Sequence, residues 1–68
     1  MKYDIQALKR LRERAGLRID ALAHEAGMSE NALRLIERGV SIPRADSVAS
    51  LATALGVEVQ EVFVVDRT

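Results

Sequence analysis

Cysteine is absent from these 68 residues, which excludes a disulfide framework, a thiolate metal site and a cysteine nucleophile. Tryptophan is missing too, and one Tyr and one Phe are the only aromatics, so a core has to come from aliphatic side chains. Neither sign of charge is in excess. Ten Lys and Arg balance ten Asp and Glu, which removes the broad basic surface that most simply announces a nucleic-acid partner. The longest unbroken apolar run, Val62–Val65, falls far short of the ~20 residues that span a bilayer. The opening MKYDIQALKR lacks the charged-then-apolar order of an export signal. His24 has no second His and no Cys to complete a metal site, and no glycine-rich phosphate cradle is present. A non-enzymatic protein without cofactor or metal, working in the cytoplasm, is the expectation.

What is present is an aliphatic pattern at helical spacing, with 49% of the residues hydrophobic. It predicts one all-α domain over residues 1–68, with five short helices at about 5–15, 19–26, 30–38, 45–55 and 59–63 and a tail at 64–68. In the first, Asp4 is placed to cap the helix start, Tyr3 and Leu8 to form a hydrophobic staple, and Ile5, Leu8, Leu11 and Ala15 to be buried. Arg10, Arg12 and Arg14 mostly face away from that stripe. Leu22, Ala23 and Ala26 form the buried side of the second helix, and Val48, Leu51, Ala52 and Leu55 that of the fourth. Val59, Val62 and Phe63 are expected to point inward from the fifth. Pro43, the only proline, closes the loop before the fourth helix.

The segment Ile19–Arg38, IDALAHEAGMSENALRLIER, reads as two short helices joined by a tight turn. Ala23 is small where the second helix of the pair packs across the first. Gly27 supplies a left-handed backbone, and Ser29 is a good N-cap. With Met28, Leu33 and Ile36 turned inward, the outer side of the third helix carries Ser29, Glu30, Asn31, Arg34, Leu35 and Arg38. Such a face suits a DNA major groove. Asn31 can bond an adenine edge, Arg34 a guanine or a phosphate, Leu35 thymine methyls, and Glu30 a cytosine amino group. Arg18, Arg38 and Arg44 flank the face and are the phosphate-contact candidates, with backbone N–H groups opening the second and fourth helices as additional anion donors. The same spacing also permits purely structural roles, with Arg34 pairing Glu30, Arg38 pairing Glu37, and Glu37 bonding within the loop that follows it. The charges are unevenly spread: residues 1–18 carry a surplus of four positive charges and residues 34–44 of two, whereas 19–33 and 45–68 are each acidic by three.

The runs LKRLRERAGL (8–17), ALAHEAGMS (21–29), LIERG (35–39), IP (42–43) and LATALGVEVQEVF (51–63) together resemble the Cro/repressor-type, or XRE, helix-turn-helix family. That resemblance implies a compact five-helix, lambda-repressor-like bundle and a sequence-specific transcriptional regulator that binds double-stranded operator DNA as a homodimer. Ile19 stands where the family usually has a glutamine, Arg18 where it has a serine or threonine cap, and Leu35 where it often has a polar base-reader. The loop Val40-Ser41-Ile42 stands where the family often carries a lysine or polar residues for the DNA backbone.

Because one reading helix spans few base pairs, a dimer is expected, with Val64 and Val65 as contact residues that have no evident place in a monomer. Extending a short strand, or packing within the fold, is the competing role for both. Two other functions remain open at this level. One is a protein-interaction or antitoxin-like module using Leu35, Val40 and Ile42. The other is an RNA-linked or coactivator role for the basic first helix.

Overall fold

Helix ends organise this chain. The computed structural model describes residues 2–3 and 5–64, with side chains from Ala7 to Val62. The helices are α1 (Ile5–Arg14), α2 (Ile19–Glu25), α3 (Glu30–Glu37), α4 (Ala45–Leu55) and α5 (Val59–Val62). Two-residue strands β1 (Lys2–Tyr3) and β2 (Phe63–Val64) add an antiparallel ladder with Lys2 opposite Val64 and Tyr3 opposite Phe63.

α1 to α4 each stop by the same hydrogen-bonded arrangement, and Gly27 shows it best. Its amide donates to the His24 carbonyl at 3.1 Å, and the Met28 amide reaches back to the Ala23 carbonyl at 2.9 Å. This pair of bonds satisfies carbonyls the helix would otherwise leave open, and it requires φ > 0, here +72°. A Cβ at this position meets nothing within 4 Å, so glycine is needed for its backbone and not for space. The same bonds recur at Gly16, Gly39 and Gly56.

Helix starts are less uniform. Ser29 caps α3, its Oγ accepting from the Ala32 amide at 3.0 Å. Arg18 and Arg44 stand at the equivalent positions of α2 and α4 and give no side-chain cap. The cap expected at Asp4 lies outside the described residues, as does the side chain of Tyr3 in the expected staple.

Leu8, Leu22, Leu33, Leu51, Val48 and Val62 are fully buried, and with Ala23 and Ile36 they form one core to which α1 through α5 all contribute. Burying an aliphatic side chain of this size stabilises by roughly 1.5–3 kcal/mol, and these residues are the main source of cohesion in a chain without disulfides. Leu11, Ala26, Met28 and Leu55 pack against its margin. Three expectations are corrected here, at Ala15, Val59 and Phe63. Ala15 is exposed, and Ala7 takes its place on the buried side of α1, because α1 ends at Arg14 and Ala15 belongs to the turn. Val59 is exposed, as the first residue of a single-turn helix that points only Val62 inward. Phe63 continues as strand β2 instead of helix. Val64 pairs with Lys2 in the ladder, while Val65 lies outside the described residues.

Candidate nucleic-acid interface

α2, the Gly27 turn and α3 form the helix-turn-helix. Leu33 and Ile36 anchor α3 inward, so its opposite side faces solvent. Asn31, Arg34 and Arg38 are exposed there, and Leu35 is half-buried without belonging to the core. These four positions follow i, i+3, i+4, i+7 and therefore share one face. Ser29 is exposed at the N-cap, with its hydroxyl already engaged by Ala32, and Glu30 begins the helix. The backbone after α3 folds under its last turn: the Leu35 carbonyl accepts from the amides of Val40 at 3.0 Å and Ser41 at 3.2 Å. This places Val40 and Ile42 on the surface beyond the helix, both strongly exposed.

The cations flanking this face are mostly occupied. Arg34 Nη2 donates to Glu30 Oε1 at 2.7 Å, one turn back on α3. Arg18 lies 3.4 Å from Asp20, and Arg44 donates to Asp46 through Nη2 at 2.9 Å and Nε at 3.3 Å. Hydrogen bonding to Asp46 holds the Arg44 guanidinium above its ordinary pKa, and the same bond holds the Asp46 carboxyl below its own. Arg38 makes no ion pair among the described residues. Arg18 and Arg44 thus sit at the starts of α2 and α4, Arg34 on α3, Arg38 at the C-cap of α3, and Val64 at the terminal ladder.

Glu37 corrects the sequence reading. It bonds neither the following loop nor Arg38. Instead it accepts a fork from Arg12, with Nε at 2.7 Å and Nη2 at 3.0 Å, while Arg12 Nη1 donates to the Leu17 carbonyl at 3.0 Å. Arg12 is therefore not part of an outward basic face. Its side chain is 13% exposed and that of Glu37 7%. The hydrogen bond it donates to Glu37, opposed by desolvation, holds the Arg12 guanidinium above its ordinary pKa. One side chain thereby ties α1, the connection before α2 and the C-terminal end of α3 together. The Leu-Ile-Glu-Arg-Gly run contained Glu37, but nothing local pointed to a partner 25 residues away.

Elsewhere, a shallow groove of about 270 Å³ between α1 and α5 is lined by Ala7, Arg10, Leu11, Arg14 and Glu61. It offers one carboxylate and two guanidiniums, with no paired acids. No helix among the described residues is long and apolar enough to cross a membrane.

A bundle that projects the second helix of a helix-turn-helix, with its polar side outward, defines a class of DNA-binding regulator folds. The comparisons agree. The family model described as a helix-turn-helix domain matches residues 6–62. Among solved structures, the chain is similar to the restriction-modification controller protein C.AhdI from Aeromonas hydrophila, with 34% identity, a TM-score of 0.84, and coverage of 87% of this chain and 89% of that one. It is also similar to an HTH_3 family transcriptional regulator from Vibrio cholerae, with 35% identity and a TM-score of 0.79 over 84% of this chain and 32% of that one, so it spans about a third of the Vibrio protein. A comparison with curated protein sequences finds no match. The chain belongs to the helix-turn-helix domain family, in its Cro/repressor (XRE) type.

Proposed function

We propose that this protein is a sequence-specific, repressor-like transcriptional regulator that binds a double-stranded operator as a homodimer, with α3 in the major groove. The observation that carries the reading is the row of exposed Asn31, Arg34 and Arg38 with half-buried Leu35 among them, presented while Leu33 and Ile36 pin the helix from behind. Asn31 and Arg34 read base edges, with Leu35 against thymine methyls and Ser29 and Glu30 at the leading end. Arg18, Arg38 and Arg44 engage phosphates. Two copies set their α3 helices about 34–36 Å apart on one side of the duplex, with Val64 and Val65 at the dimer contact. Such a protein works where duplex DNA is, in keeping with a cytoplasmic location.

Selection of bound duplexes from a random pool tests this directly. A palindromic consensus is the expected outcome, and a pool that shows no enrichment defeats the proposal. Affinity for the selected site should fall as salt rises, because phosphate contacts release counterions. Sedimentation at high micromolar concentration should show a dimer; a monomer there removes that part of the reading.

A second reading rests on the exposure of Val40 and Ile42, at 68% and 81%, beside the half-buried Leu35. These side chains suit a protein partner. The two readings separate by mutation. Charge reversal at Arg34 and Arg38 should abolish DNA binding, whereas Leu35→Asp should impair a protein complex more.

A further inference from the structure

Three of the four arginines on the proposed DNA-binding surface hold a carboxylate of the same protein. Two of them use the same local design. The order Arg-x-Asp occurs at residues 18–20 and 44–46, each time with Arg at the residue preceding a helix. Each Asp is bonded on two sides. Asp20 Oδ1 accepts from the Ala21 amide at 2.9 Å and lies 3.4 Å from Arg18 Nε. Asp46 Oδ1 accepts from the Ser47 amide at 2.9 Å while Arg44 forks onto both of its oxygens. On α3 the third pair, Arg34–Glu30, follows the same logic across one helical turn.

The amide bonds at the helix starts account for an acid at each of the two places, but not for the arginine two residues before it, since ion pairs this exposed contribute little to stability. Recognition does. A guanidinium binds a phosphate through the same planar fork that it offers a carboxylate. The two anions therefore compete for the same donors, and an arginine already paired gains less by moving to DNA.

We propose that Asp20, Glu30 and Asp46 are specificity determinants acting by competition: they hold Arg18, Arg34 and Arg44, weaken sequence-independent attachment, and leave stable binding dependent on the base contacts of α3. This rests on the DNA-binding reading above. It also gives a purpose to three of the ten acids, which sit on the arginines of this surface themselves. Asp20 and Asp46 act on any duplex alike. Glu30, on the reading helix, acts on sequence preference, so Glu30→Gln broadens the consensus at the base facing Arg34.

The test compares the wild type with Asp20→Asn/Asp46→Asn and with Glu25→Gln, titrated against random-sequence duplex over a range of KCl concentrations. Asparagine keeps the oxygen that accepts the Ala21 and Ser47 amides, so the helix starts retain their bonds. Glu25→Gln removes one negative charge from an exposed α2 residue that has no arginine partner among the described residues. The double variant should bind about tenfold tighter, from roughly threefold at each site. Its plot of log affinity against log salt should steepen by about one to two. Glu25→Gln should change both by much less. An Asp20→Ser/Asp46→Ser variant, which also keeps an oxygen acceptor, gives the same readout independently. Wild-type binding with a double variant no different from Glu25→Gln overturns this inference and leaves the DNA-binding reading standing. If neither the wild type nor the double variant retains duplex at low salt, the DNA-binding reading falls and this inference falls with it.

Discussion

Two Arg–Glu pairs meet on α3 at the same closest N···O distance, 2.7 Å, and they differ in almost everything else. Arg34–Glu30, near the start of the helix, has side chains 55% and 42% exposed. Arg12–Glu37, at its end, is 13% and 7% exposed and joins elements 25 residues apart. Water screens the first pair, so its contribution to folding is small and its arginine can be drawn away by another anion. Neither partner of the second can be removed without leaving an uncompensated charge in a largely buried place. One end of the proposed reading helix is therefore fastened while the other stays available to a ligand. Separation alone says nothing about which is which.

The largest effect expected comes from breaking the buried pair. Glu37→Ala strands Arg12 and should destabilise by about 3 kcal/mol, discounted within the range for buried pairs because both groups keep some solvent contact. For a domain this small that lowers Tm by roughly 15 °C, measurable by thermal circular dichroism. Glu30→Ala in the same assay should cost less than about 0.5 kcal/mol. Equal losses in the two variants would erase the distinction. An Arg12→Met/Glu37→Leu variant sharpens it, since replacing both members by apolar groups should recover much of the loss.

Next in size is Arg34→Ala, expected to weaken binding to a selected duplex by about 1–3 kcal/mol while leaving Tm nearly unchanged. Electrophoretic titration beside a melting curve checks both halves. A large drop in Tm would move Arg34 to the structural side of the comparison.

Smaller again is Gly27→Ala, which tests the turn that presents α3. With φ at +72° and open space around a new Cβ, the loss is backbone strain alone, about 1–2 kcal/mol. Urea denaturation should register it as a lower midpoint with an unchanged slope.

The smallest effect concerns Arg44–Asp46, more exposed still. The Asp46 carboxyl is held below the ordinary aspartate range by its bond from Arg44. Its contribution to stability is therefore present above that range and is lost as pH falls through the depressed value. An NMR titration of the Asp46 carboxyl should show a lowered midpoint that Arg44→Ala returns toward normal. The raised pKa of Arg12 has the opposite sign: while Glu37 is a carboxylate, the contribution is present below the usual arginine range and is lost as pH rises through the raised value.

How far these features were legible from residue order depends on their range. The helix-turn-helix was legible because Gly27, Ser29, Leu33 and Ile36 act within a turn or two of themselves: a left-handed stop, a cap and a helical stripe. The Arg34–Glu30 pair was legible as one of two roles, for the same reason. Ala15 and Val59 were misplaced because a stripe gives periodicity but not the residue at which a short helix ends. Phe63 and Val64 were misassigned or left open because a two-residue ladder between opposite ends of the chain has no local signature.

By itself, then, the amino-acid order determined which glycines close the helices and which side of α3 is apolar, since both follow from backbone dihedrals and spacing over a few residues. Only the packed bundle decided which of three neighbouring arginines on α1 turns inward, and that Glu37 would meet Arg12 while Arg38 stayed outside. An ion pair between distant segments exists only once hydrophobic burial has set the distance between them, and that distance is a property of the whole core.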